Sequence, residues 1–196
     1  MSLTTWLLTS ATCTLVLASG CSSTDIVVGI LPAHGDGGSP AHRCVNDDDC
    51  RTGFCVRDTC DEATGHCEAR PVTCDTTKAL VCGCDGVTYW NDCLRKQAGI
   101  TASALGYCGP GAATCGGGLG ACPVAGASCA RIFPSADRCV HGDDGPGVCV
   151  LLPPTCPAPT NERLARCGGG PASCDDECDA IRSERPHLRP GAVTCP

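Results

Sequence analysis

The stretch Cys82–Cys93, CGCDGVTYWNDC, decides the fold, because it sets both a disulfide spacing and the chemistry of the turn inside it. Asp85-Gly86 lies between short apolar or β-branched segments and signals a turn, while Thr88, Tyr89 and Trp90 suit a short pleated strand. Asn91 reads as an N-cap whose side-chain oxygen takes a free amide of the helix that follows. That helix is expected to run through Asp92, Cys93, Leu94, Arg95, Lys96 and Gln97, and to close at Gly99.

Working outward, cysteine dominates the composition. The chain of 196 residues has 22 cysteines, but only two Phe, two Tyr, two Trp and one Met. Twenty of the cysteines fall between Cys44 and Cys195. So few large apolar side chains cannot build a conventional core, and this cysteine density points to a disulfide scaffold of the kind found in secreted proteins. Each bridge typically contributes about 2 to 4 kcal/mol by restricting the unfolded chain, so bridges replace the missing burial. Ten cysteines lie in Cys44–Cys108 and ten in Cys115–Cys195, with Gly109-Pro110-Gly111 between them. Both sets are even, so pairing within each half is expected, with proteolysis at the glycines giving two separable fragments.

Around Cys82–Cys93 the chain resembles a Kazal domain, the three-disulfide fold of many serine-protease inhibitors, in which a hairpin of the form CGSDGxTYxNxC leads into one short helix. Cys74, Cys82, Cys93 and Cys108 fall where the second, third, fourth and sixth family cysteines stand, and Cys67 would be the first. Lys96 occupies the place of the fifth, while Cys84 is an extra cysteine where Ser is common. The resemblance implies bridges Cys74–Cys93 and Cys82–Cys108, with Cys67–Cys84 as the substitute third; spacing alone leaves the connectivity open. Before this unit, residues 44–66 hold Cys44, Cys50, Cys55 and Cys60, an order similar to the small EGF-like hairpin that precedes the Kazal part of a follistatin module.

The second half, residues 115–195 after a 109–114 linker, reads as a degenerate repeat of the first. Six residues separate Cys67 from Cys74 and Cys149 from Cys156; ten separate Cys82 from Cys93 and Cys167 from Cys178. On that spacing Tyr89 aligns with Cys174 and Asn91 with Asp176, so the hairpin signature is lost. Asp176 and Glu177 can open a helix through Arg182 that Pro186 stops. The expected fold class is therefore small and disulfide-rich: a Kazal-like module of short hairpin plus one short helix over 67–108, then a degenerate Kazal-like repeat, with little regular secondary structure elsewhere.

At the other end, residues 1–20 read as a signal peptide. No charged residue occurs before Asp25, and an apolar run diluted by Thr and Ser ends in Ala18-Ser19-Gly20 before Cys21. The run is too short and polar to span a membrane. LASGC resembles a bacterial lipobox, which implies acylation of Cys21 and a lipoprotein held at the bacterial cell envelope, with the outer membrane favoured by Ser22; plain secretion is the alternative. Residues 21–43 form a flexible tether, in which Ile26–Leu31 could be a strand lacking a nearby partner.

Several function classes are disfavoured. No Cys-x-x-Cys pair occurs, so a metal site is not expected. Asn46-Asp47-Asp48-Asp49 lacks the spaced ligands of a calcium loop and reads as a solvated turn. His34, His42, His66, His141 and His187 sit in no nucleophile motif, so neither an enzyme nor a cofactor is expected. A formal charge of -7 with few aromatics argues against nucleic acid. Two classes remain. The first is an inhibitor of a serine protease acting through an extended loop between Cys74 and Cys82, with Asp75, Thr76, Thr77 and Lys78 as loop residues. Here the resemblance implies Thr76 in the specificity pocket, Thr76-Thr77 as the scissile bond and Asn91 as the brace. Thr76 is neither basic nor large, which points to an elastase-like or subtilisin-like partner. In the second half the same position is Ala158, followed by Pro159, in a longer loop not expected to inhibit. The second class is a non-inhibitory binding or structural lipoprotein on the same frame.

Overall fold

Among the described residues, ten disulfides tie together strands of two to five residues. The structure, a computed structural model, describes residues 42–140, 145–159, 162–168, 174–191 and 195. The expected signal peptide, Cys21 and nearly all of the tether lie outside the described residues. Among those described, no helix is long and apolar enough to cross a membrane.

The first half opens with β1 (Arg43–Cys44), a 3-10 turn (Asp47–Asp49), β2 (Gly53–Val56) and β3 (Gly65–Ala69). These strands form a sheet in the order β1-β3-β2. Asn46 and Asp49 cap the 3-10 turn reciprocally, and Asp47 Oδ1 accepts from Cys55 N at 3.0 Å. The acidic run is thus a capping box that pins β2, a pattern legible in Asn-x-x-Asp that the solvated-turn reading passed over. Next come β4 (Val81–Gly83), β5 (Thr88–Tyr89), α1 (Asp92–Ala98) and β6 (Ala102–Leu105). The β4–β5 hairpin turns at Asp85-Gly86; Gly86 has φ 77°, and a Cβ there would stand 2.7 Å from Gly111 O. Asn91 Oδ1 accepts from Leu94 N at 3.0 Å, and Gly99 closes α1 in the left-handed region at φ 76°.

The second half contains β7 (Thr114–Cys115), β8 (Ala127–Ala130), β9 (Ile132–Phe133), α2 (Ala136–Val140), β10 (Gly147–Leu151), β11 (Arg163–Arg166), β12 (Cys174–Asp176), α3 (Glu177–Arg182) and β13 (His187–Leu188). β7 and β8 flank β10, and β12 and β13 flank β11. β10 also pairs with β5 in parallel, Val150 opposite Thr88 and Leu151 opposite Tyr89, so one six-stranded sheet contains strands of both halves.

Every bridge stays within its half: Cys44–Cys55, Cys50–Cys67, Cys60–Cys84, Cys74–Cys93 and Cys82–Cys108, then Cys115–Cys129, Cys122–Cys149, Cys139–Cys167, Cys156–Cys178 and Cys174–Cys195. The expected Cys67–Cys84 bridge is absent. Cys67 lies on β3, buried among Cys44, Cys50 and Cys55, whereas Cys84 is exposed past the end of β4 and meets Cys60. Two bridges therefore cross from residues 44–66 into the following unit, and β3 itself spans that point. The expectation of separable halves also meets a physical obstacle. Val87, Tyr89, Trp90 and Leu94 share one buried cluster with Cys115, Ala130, Cys149, Val150 and Ile181, so a cut at Gly109–Gly111 leaves a common core intact.

Candidate loop site

The loop from Asp75 to Lys78 is held at both ends by covalent staples, Cys74 to α1 through Cys93 and Cys82 to Cys108. Between them the chain has little regular structure, and three side chains hold it. Asp75 Oδ1 accepts from Thr77 N at 2.8 Å, a local turn that short acidic and amide side chains favour. Asn91 Nδ2 donates to the carbonyls of Asp75 at 3.0 Å and Thr77 at 3.1 Å, one on each side of Thr76. Because Asn91 also caps α1 and is only 5% exposed, one buried amide ties the loop to the start of the helix.

The third holder is Trp90. Its indole Nε1 donates to Thr76 O at 2.9 Å, and Ala79 N donates to Trp90 O at 2.9 Å. The central carbonyl of the loop is therefore occupied, and Thr76 is half-buried while Asp75 and Thr77 are exposed. The Trp90 signal lay in the sequence beside Asn91, but only the fold shows that its ring turns toward the loop.

Lys78 carries the loop into the second half. Its ammonium donates to Glu162 at 3.0 Å and to Glu177 on α3, and stands 5.9 Å from the centroid of Trp90. Partial burial pulls its pKa down, but the two carboxylates outweigh this and hold it above the ordinary lysine value. Glu177 also accepts from Tyr107 OH at 2.5 Å. Burial, then the Glu177 charge, pushes the Tyr107 phenol well above its usual range. A crevice of about 190 Å³ opens between the two halves beside the loop, walled by Thr76, Lys78, Trp90, Pro157, Ala158 and Glu177. Ala158 is thus a neighbour of the first loop.

The other candidates are placed plainly. Tyr89 OH donates to Asp85 at 2.7 Å within the hairpin; burial and then Asp85 raise its pKa far above normal. Among the described residues, two groups of three cysteines have metal-like proximity, Cys44, Cys50 and Cys67, and Cys115, Cys122 and Cys149, but all six sulfurs are in disulfides. His187 is buried, with Nδ1 2.7 Å from Arg185 O and Nε2 3.0 Å from Asp175, so both ring nitrogens face oxygens of neighbouring residues. No protein-family model matches the chain, and no curated protein matches it significantly.

Proposed function

We propose that this chain is an exported, lipid-anchored Kazal-like protein of a bacterial envelope that binds a serine protease through Asp75–Lys78, and that it is not itself an enzyme. One observation carries the reading: the Asn91 amide bridges the carbonyls on both sides of Thr76, in a loop stapled at each end. A loop ordered before it meets a protease loses little entropy on binding, and a cut loop held by Cys74–Cys93 and Cys82–Cys108 keeps its ends in place. Thr76 offers a small β-branched side chain, which fits an elastase-like or subtilisin-like pocket better than a trypsin-like one.

Attack on Thr76 would draw its carbonyl oxygen into an oxyanion hole, so Trp90 must release it. Losing that hydrogen bond costs about 1 kcal/mol, which makes the inhibitor weak without forbidding it. The same hydrogen bond, with the Lys78 ion pairs, favours the second reading, a non-inhibitory binding module whose loop is a structural tie between halves. Titration of the refolded full chain against elastase-like and subtilisin-like proteases decides between them. Inhibition at micromolar concentration, lost in Thr76→Pro and kept in Ala158→Pro, is expected. Full protease activity at that concentration replaces the inhibitor with the binding module.

A further inference from the structure

Away from the loop, a cleft of about 630 Å³ opens where the joined sheet faces the C-terminal one, within the size range of small-molecule sites (roughly 300 to 1,000 Å³). Its apolar wall comes from Ile132 on β9, Val148 on β10 and Leu164 on β11, with Pro146 and Pro190 at the sides. Leu164 is only 1% exposed, so the floor is fixed.

The polar groups in this cleft are few and unequal. Glu177 has both carboxylate oxygens engaged, Oε1 by Tyr107 and Oε2 by Lys78, an ammonium it shares with Glu162. Arg189 is different. Its backbone N–H donates to Phe133 O at 2.8 Å, which fixes the residue beside β9, but among the described residues its guanidinium has no hydrogen-bond or ion-pair partner. Arg189 is exposed at the edge of the apolar wall, and its charge reaches the Tyr107 phenol beside Glu177. With its guanidinium N–H donors unpaired among the described residues, it offers hydrogen bonds to an anion in a chain of net charge -7.

We propose that this cleft binds a small amphiphilic carboxylate, its apolar body on Ile132, Val148 and Leu164 and its carboxylate on Arg189. A guanidinium takes a carboxylate through two parallel hydrogen bonds, which fixes orientation as well as charge. Each methylene laid on the wall adds roughly fourfold in affinity, so chain length and charge contribute separately. Protease binding has no part in this assignment.

Calorimetric titration of the full chain with decanoate, hexanoate and decanol at neutral pH tests it. Decanoate is expected to bind at micromolar concentration, with hexanoate and decanol each at least tenfold weaker. Arg189→Gln should weaken decanoate about tenfold and leave decanol unchanged, whereas Val148→Phe, which fills the cleft, should weaken both. No heat from decanoate at millimolar concentration overturns the assignment. So does decanol binding as tightly as decanoate, or decanoate binding Arg189→Gln as tightly as the parent chain.

Discussion

The two halves can be laid over each other bridge by bridge. Numbering the ten cysteines of each half in order, the first pairs 1–3, 2–5, 4–8, 6–9 and 7–10, and the second pairs 1–3, 2–5, 4–7, 6–9 and 8–10. Strand orders agree as well: β1-β3-β2 matches β7-β10-β8, and β6-β4-β5 matches β13-β11-β12. Even single hydrogen bonds recur, Cys67 N to His42 O as Cys149 N to Ala113 O, and Cys84 N to Thr101 O as Cys167 N to Pro186 O. Two pairs differ by number, but Cys167 stands in the place of Cys84, so one bridge has moved in space. In the first half Cys82 on β4 stands opposite Thr88, and in the second Ala165 on β11 stands opposite Cys174. The bridge to the last cysteine has shifted to the residue directly across the ladder, where side chains are about 5 Å apart, so it staples the partner strand without altering the fold.

The hairpin chemistry changed with it. The residue opposite Val81 is Tyr89, fully buried; the residue opposite Leu164 is Asp175, held in an ion network. What persists between the halves is cysteine order and backbone room, and what varies is how the hairpin is filled. Gly65 and Gly147 show the room: a Cβ on either would collide with a backbone oxygen of the facing strand, Val56 O or Ala130 O.

The largest expected effect comes from breaking what the halves share. Trp90 is 2% exposed, donates its amide to Leu151 O across the junction and its indole to Thr76 O. Trp90→Ala should cost about 3 to 5 kcal/mol in denaturant unfolding of the oxidised chain. A loss under about 1 kcal/mol would mean the halves stand independently, as their separate disulfide sets first suggest.

How legible this was follows from particular residues. Asn91 as a cap, Gly99 as a stop and the Glu177–Arg182 helix are local events, fixed by neighbours in sequence, and the residues announce them. The pairing of Cys67 was not local. A resemblance supplied Cys84 as its partner, whereas the β2–β3 ladder places it among cysteines of the preceding unit. Spacing likewise equated Cys82 with Cys167, yet Cys167 bonds Cys139 and takes the place of Cys84. A better guide was present: Gly65-x-Cys67-x-x-x-Pro71-x-Thr73-Cys74 recurs as Gly147-x-Cys149-x-x-x-Pro153-x-Thr155-Cys156. That repeat anchors the two halves on β3 and β10 and leaves the hairpins free to differ. At the loop, the residues themselves announced Asn91 only as a helix cap and a resemblance named it a brace, whereas the grip of Trp90 and the reach of Lys78 to Glu162 and Glu177 depend on packing between halves.

Acid should separate the two hairpins next. Arg166 grips Asp175 with two hydrogen bonds at 2.6 and 2.7 Å, and His187 adds a third at 3.0 Å. Arg166 foremost, then His187, lowers the Asp175 carboxyl to about 2 from 3.8, against the opposing effect of burial. A carboxylate whose folded pKa is depressed stabilises fully above its unfolded value and loses that contribution as pH falls through the folded one. Between pH 4 and 2 the chain should lose about 2 kcal/mol from this group, an effect absent in Asp175→Asn. The first-half hairpin, with buried Tyr89 at this place, should keep its amide exchange protection over the same range, and equal loss in both hairpins would contradict the assignment.

The smallest effects test how tightly the first loop is tied to the second half. Lys78 touches two carboxylates of unequal surroundings: the Glu177 side chain is 13% exposed and that of Glu162 is 69% exposed. Solvent screens the second far more than the first, so the two contacts differ in worth. Glu177 also takes the Tyr107 hydroxyl, and its loss leaves two donors short of a charged acceptor. Allowing for the partial exposure of Lys78, Glu177→Gln should cost about 1 kcal/mol and Glu162→Gln less than about 0.5 kcal/mol. Because Lys78 has its pKa raised, its contribution is full below the unfolded value of 10.5 and falls away as pH climbs through the folded one. Hydrogen exchange at the amides of Thr76, Thr77, Lys78 and Ala79 reads the tie directly. Faster exchange in Glu177→Gln, with little change in Glu162→Gln, is expected at neutral pH, and the parent chain should approach the Glu177→Gln rate, after correction for the intrinsic pH dependence of exchange, as lysine loses its proton. Unchanged exchange in Glu177→Gln would show that the disulfides and Asn91 alone hold the loop, and that the second half merely lies beside it.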